Sequence, residues 1–167
     1  MQTNYSLLNK VLAFFSFFIS FIIYYDTMAP TVSYWDCGEF IAVANTLGVP
    51  HPPGSPFFLL IGRIASILPI GTDIAFRVNL LSPLTSSFAV MFLYLIVVQC
   101  VRHWRGKIQN STDALIAFGG GFVGALVFAF TDSHWFNAVE AEVYAFSTFF
   151  TAIVVWLILH WSEKADE

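Results

Sequence analysis

Residues 57–70 read Phe57-Phe58-Leu59-Leu60-Ile61-Gly62-Arg63-Ile64-Ala65-Ser66-Ile67-Leu68-Pro69-Ile70, and the reading of this stretch decides the fold. It is apolar, but only fourteen residues long and interrupted by Arg63. A helix that crosses a bilayer needs about 20 largely apolar residues. The stretch therefore reads as an interfacial helix that lies on the membrane or dips into it. Read as a span, it would give five transmembrane helices and reverse the sidedness of everything after it.

The rest of the chain supplies longer apolar runs. They predict transmembrane helices at about residues 7–25, 76–101, 114–130 and 143–161. The first, nineteen residues long, covers roughly 28 Å as a helix, close to the hydrocarbon thickness. Within it, Lys10 precedes an apolar run from Val11 to Tyr25 as in a signal peptide, but no small-x-small cleavage site follows, so it reads as an uncleaved span. The second carries Asn79, Ser82 and Pro83 near its start, where Pro83 predicts a kink or the effective beginning. Gly119, Gly120, Gly121 and Gly124 in the third suit close helix packing. They do not read as a phosphate loop, because no Lys-Ser/Thr follows.

Charge chooses between four spans and five. Arg102, His103, Arg105 and Lys107 form the most basic connection. With four spans, this connection and Lys10 share the cytoplasmic side, as the positive-inside rule asks; with five they separate. The chain thus reads as an all-α polytopic membrane protein, a single transmembrane domain over residues 1–167. Both termini are then cytoplasmic, and loops 26–75 and 131–142 face outward together. The first of these carries interfacial helices at about 36–47 and 57–70. In the earlier one, Phe40, Val43, Ala44 and Leu47 follow amphipathic helical spacing.

Composition agrees. The 167 residues are 57% hydrophobic and 11% charged, with a mean hydropathy of +0.73. A soluble domain carries about 25% charged residues. The 19 phenylalanines and 5 tryptophans suit lipid-facing surfaces and interfacial belts. A net charge of −4 argues against a nucleic-acid partner. The two cysteines, Cys37 and Cys100, fall near opposite membrane faces, too far apart to bond.

The outward loops hold the residues that can carry chemistry. Asp36 and Glu39 lie three apart, on one face of a helix starting there. One could act as a general base and the other orient a hydroxyl or bind a metal. The same spacing matches a capping box, with Asp36 as N-cap and Glu39 at N3. His51 sits in Pro50-His51-Pro52-Pro53-Gly54-Ser55-Pro56, a restricted loop that could hold it against a phosphate or simply connect two helices. Arg77 suits bidentate phosphate binding, and Arg63 and Arg77 equally suit snorkelling to headgroups. In the second loop, a helix through 137–144 would put Asn137, Glu140 and Tyr144 on one face and turn Glu142 elsewhere. His134 with Glu140 or Glu142 has only a weak metal-ligand pattern. The block of acids also reads as a solvated loop.

Three motifs, in order, carry a resemblance. Trp35-Asp36-Cys37-Gly38-Glu39-Phe40, then His51-Pro52-Pro53-Gly54, then Asn137-Ala138-Val139-Glu140-Ala141-Glu142-Val143-Tyr144 resemble the bacterial relatives of protein O-mannosyltransferases. They are also similar to the animal membrane O-mannosyltransferase that modifies IPT domains. The resemblance implies the N-terminal part of a GT-C glycosyltransferase fold. It implies a mannose donor on a polyprenyl phosphate, a protein hydroxyl as acceptor, membrane lipid as surroundings and inversion at the sugar carbon. No tightly bound cofactor is implied, and metal dependence stays open. Asp36 falls on the family's base and Glu39 beside it. Glu140 and Glu142, with Asn137 and Tyr144, would complete a polar cavity, and His51 or Arg77 would meet the donor phosphate. The implied place is a bacterial inner membrane with a periplasmic site. GT-C enzymes have more helices than this chain, so a partner or remainder of a larger assembly is expected. The competing reading is a non-catalytic membrane subunit that binds lipid or a partner. A transporter fits less well, because the acids and arginines lie at the membrane edge.

Overall fold

The described regular structure is entirely helical in a computed structural model that describes residues 5–71 and 73–165. In chain order the helices are α1 (Tyr5–Thr27), α2 (Cys37–Thr46), α3 (Pro56–Ile67), α4 (Ile74–Asn79) and α5 (Leu81–Arg105). After the basic connection come α6 (Ser111–Ala114), a π-helical turn (Leu115–Gly119), α7 (Gly120–Ala129), α8 (Asp132–Ala138) and α9 (Val143–Ala165). Four stretches are long and apolar enough to cross a membrane: Tyr5–Thr27, Ile74–Arg105, Ser111–Ala129 and Val143–Glu163. This is an integral membrane protein of four candidate spans.

The helix of the second span is interrupted because of its sequence. Pro83 has no N–H to give the carbonyl of Asn79, so a helix cannot run smoothly past that point. The ladder breaks at Leu80, between α4 and α5, and Pro83 falls in the first turn of α5, where it is tolerated. α5 is the central helix and packs against α1, α7 and α9. Half of the most apolar stretch of its span is buried (50%), against 11% for the fourth span. Small polar residues make that burial possible. Ser87 donates to the Pro83 carbonyl (2.7 Å) and Thr85 to Leu81 (2.8 Å), so their hydroxyls are satisfied inside the helix.

Of the glycines in the third span, one is required by packing. A Cβ on Gly121 would lie 2.9 Å from Val98 Cγ2 and 3.3 Å from Tyr94, so α7 reaches α5 only because Gly121 has no side chain. Gly120 and Gly124 face open space, and the packing role read for all four belongs to Gly121.

The end of the bundle opposite the basic connection carries a second layer. Cys37, Phe40, Ile41 and Ala44 of α2 pack on Phe58 and Leu59 of α3, Ala75 and Val78 of α4, and Phe146 of α9. The α2–α3 crossing is close, since a Cβ on Gly62 would meet Ala44 Cβ at 2.9 Å. At twelve residues, α3 is shorter than a span. Its outer face of Phe57, Leu60, Ile64 and Ile67 is exposed and apolar, as a helix lying against lipid requires. Arg63, which interrupts its sequence, turns back and donates through Nη1 to the Asn45 carbonyl near the end of α2, where a cation is favourable. Cys37 is buried and Cys100 exposed, and both are free thiols.

Candidate functional site

Asp36 stands at the N-cap of α2 but makes no capping hydrogen bond with its side chain. The capping box that the Asp36–Glu39 spacing allows does not form. Glu39 instead turns towards the proline loop. The His51 backbone N–H donates to Glu39 Oε1 at 2.8 Å, and the ring Nδ1 lies 2.6 Å from Oε2. The other ring nitrogen, Nε2, is 3.9 Å from Asp36 Oδ2. The His51 ring also lies against Phe40 (centroids 5.8 Å apart), which roots the loop on α2. Asp36, Glu39 and His51 each offer one ligand atom, all within 4.8 Å of one another, a spacing that suits a divalent cation. The Glu39–His51 contact also satisfies both groups as an ion pair. Immediately before Asp36, Tyr34 and Trp35 are each 87% exposed, and Trp35 sits in the left-handed region (φ 61°), a strained setting for so large a residue.

The connection at residues 131–142 brings further acids to the same end of the bundle. A continuous helix through 137–144 does not exist: α8 ends at Ala138 and α9 begins at Val143. Two backbone N–H groups between them go to side chains elsewhere. Ala141 N donates to Asn79 Oδ1 (3.0 Å) and Glu142 N to Ser82 Oγ (3.4 Å). Glu140 accepts from Ser33 Oγ. With the helix broken, Glu142 is not turned elsewhere. Glu140 and Glu142 are both buried. The two loops are joined directly as well, by Ala29 N to the Val139 carbonyl (2.8 Å).

The charges of the two loops act on one another. Burial pushes the Glu142 carboxyl above its ordinary value, and the negative charges of Glu140 and Asp36 push it the same way; a backbone N–H and His51 pull weakly against this. The Glu39 carboxyl is held below its ordinary value, chiefly by its bonds from His51. His51 is held above its ordinary value, chiefly by the hydrogen bond to Glu39, with Asp36 and Glu142 adding attraction. Asp36, Glu39, His51, Glu140 and Glu142 therefore form one electrostatic cluster, with His51 as its cation.

Other residues singled out in the sequence lie outside it. Arg77 is bonded to the end of α3, through Nε to the Ile70 carbonyl (2.7 Å) and Nη1 to that of Ser66 (2.9 Å). Asn137 bonds back to Ser133 within α8 (2.7 Å), and Tyr144, in the first turn of α9, is exposed. His134 is buried between the rings of Tyr24 and Phe128. Burial pushes it down to about 4, so it is neutral.

Asn79, an amide in the second apolar span and not one of the residues expected to carry chemistry, organises the site. Fully buried, it donates to the carbonyls of Ala29 and Thr31 (2.9 Å each) and accepts from Ala141 N and, at 3.6 Å, Cys37 Sγ. One side chain thus fixes the first loop, the start of α2 and the second loop. The signal was present: an amide inside an apolar span needs partners.

From residue 36 to 167 the sequence matches the family described as Protein O-mannosyl-transferase TMEM260 N-terminal domain. The chain belongs to that family. Within it, the Dictyostelium discoideum protein named Protein O-mannosyl-transferase tmem260 is 34% identical over 139 residues, 81% of this chain and 15% of that protein. The Mus musculus protein named Protein O-mannosyl-transferase TMEM260 is 32% identical over 129 residues, 77% of this chain and 16% of that protein. The chain thus spans about a sixth of the length of these curated relatives. No solved structure matches. The TMEM260 N-terminal match begins at Asp36 and takes in all five charged residues of the cluster.

Proposed function

We propose that this chain forms the acidic half-site of a GT-C type protein O-mannosyltransferase, which moves mannose from a polyprenyl-phosphate donor to a Ser or Thr hydroxyl. The observation that carries the reading is the convergence of Asp36, His51, Glu140 and Glu142 from two loops 100 residues apart in a family whose relatives bear that activity in their names. Asp36 is the base. It is half-exposed, uncommitted to its own helix, and open to an incoming hydroxyl.

In the reaction the acceptor oxygen forms a bond to the sugar C1 while the bond from C1 to the donor phosphate oxygen breaks. The hydroxyl proton passes to Asp36, and the electron pair leaves with the lipid phosphate. A cation near that phosphate lowers the barrier by stabilising the developing charge. His51, kept protonated by Glu39, is suited to this role, whereas Arg77 is committed to backbone carbonyls. Glu140 and Glu142, buried behind Asp36, are placed to hold sugar hydroxyls once the donor is bound. The acids face the periplasm of a bacterial inner membrane, both termini lie in the cytoplasm, and the remaining walls come from further chain or a partner subunit.

The test is a transfer assay with the whole protein, a Ser/Thr peptide acceptor, and mannose supplied either on a polyprenyl phosphate or on a nucleotide. The proposal expects transfer from the lipid donor alone, with a product anomer opposite to the donor's. Transfer from the nucleotide donor, or retention of configuration, overturns it.

A further inference from the structure

The opposite end of the bundle carries a second site of opposite charge. Arg102 and Lys107 line a cavity of about 330 Å³ together with Tyr5, Ser6, Asn9 and Phe118. Among the described residues, neither cation makes an ion pair with a carboxylate. Asp113, the acid nearest in the sequence, does not line this cavity; it borders a narrow cleft that Arg102 also lines, and its carboxylate accepts from Gln109 N (3.4 Å). The Tyr94 hydroxyl donates to Asn9 Oδ1 at 2.9 Å, which leaves the amide nitrogen of Asn9 as a donor on a residue of the cavity wall. The cavity thus combines two uncompensated cations with an amide and a hydroxyl, a set that suits a phosphate.

Next to it runs an apolar groove of about 340 Å³, lined by Leu8, Leu12, Leu115 and Gly119. Tyr5 and Phe118 border both spaces, so the two lie side by side. The groove follows the π-helical turn Leu115–Gly119, a distortion often found where a helix makes room for function. Basic residues that only set topology need no shaped cavity, and none beside an apolar groove.

We propose that this end of the bundle binds an anionic glycerophospholipid, with its phosphate between Arg102 and Lys107 and an acyl chain in the groove along Leu8, Leu12 and Leu115. The chemistry is that of basic pockets between membrane helices. The site stands apart from the acidic cluster and does not depend on the transferase reading.

The protein in detergent, mixed with phosphatidylglycerol or phosphatidylcholine, is examined by native mass spectrometry for retained lipid. Wild type is expected to retain phosphatidylglycerol about twenty-fivefold better, since each of the two basic residues near an anionic headgroup contributes roughly fivefold. The Arg102→Gln/Lys107→Gln double variant should lose that preference; both side chains are exposed, so the fold tolerates the change. Equal retention of the two lipids by wild type, or an unchanged preference in the double variant, overturns the proposal. Two further arms separate a lipid from a free phosphate. Gly119→Leu, where a Cβ meets only Leu115 at 3.4 Å, fills the groove and should lower retention several-fold; Leu115→Phe is a second filling from the exposed wall. If neither filling changes retention, or if millimolar inorganic phosphate displaces the lipid, the site takes phosphate alone and the lipid assignment fails.

Discussion

Glu39 holds His51 by two bonds at once, the ring Nδ1 at 2.6 Å and the backbone N–H at 2.8 Å. The loop that carries His51, residues 50–56, contains four prolines and holds the histidine stiffly, so this clamp sets where the imidazole stands relative to Asp36.

The clamp is testable by titration. His51 is raised above its ordinary 6.5, so its contribution is present below that value and is lost as pH rises through the raised one. Glu39 is lowered below 4.5, so its contribution is present above that value and is lost as pH falls through the lowered one. The pair is intact in the window between. Glu39→Gln should return the His51 titration, followed by NMR of the ring protons, towards 6.5. An unmoved titration would refute the clamp.

Glu142 titrates in the opposite sense to Glu39. A carboxyl raised by burial and by neighbouring acids favours the protonated form, so its folded state is most stable at low pH and loses stability as pH rises from 4.5 through the raised value. Glu142→Gln removes the penalty. The thermal midpoint of the variant should exceed wild type at neutral pH, with the difference vanishing at acid pH. A variant less stable than wild type at neutral pH contradicts the crowded-acid account.

Asn79→Ala strands the carbonyls of Ala29 and Thr31 and the N–H of Ala141. Unpartnered buried groups cost about 1–3 kcal/mol each, so the loss should reach on the order of 3 kcal/mol. Hydrogen exchange should rise at Ala141, while amides of α7 stay protected. A loss spread evenly over the bundle would deny Asn79 its place as the hub of the two loops.

Gly121→Val tests the α5–α7 contact. The added side chain overlaps Val98 and Tyr94, and overpacking of this kind costs about 1–3 kcal/mol. Gly124→Val, facing open space, should cost far less, and equal losses at the two positions would show that the helices are not held at that distance.

The four apolar runs, the short stretch with Arg63 and the two acidic loops were legible because hydropathy, length and charge are local properties. The arrangement of the acids was not. The Asp36–Glu39 spacing suggests a capping box, and what defeats it is His51, twelve residues away. The second loop suggests a helix, and what breaks it comes from Ser33, Asn79 and Ser82, between 60 and 107 residues distant. Periodicity cannot report partners at that separation. The buried amide of Asn79 was the one local sign that the loops were tied to something.

The central claim is that Asp36 takes the acceptor proton. Mannosyl transfer from a polyprenyl-phosphate donor by the Asp36→Asn variant of the whole protein, beside wild type at matched folding and donor binding, measures it directly. Loss of a general base costs about 10²–10⁴ in rate, and a fall of that size with donor binding retained is the result predicted here. Transfer at the wild-type rate would contradict it.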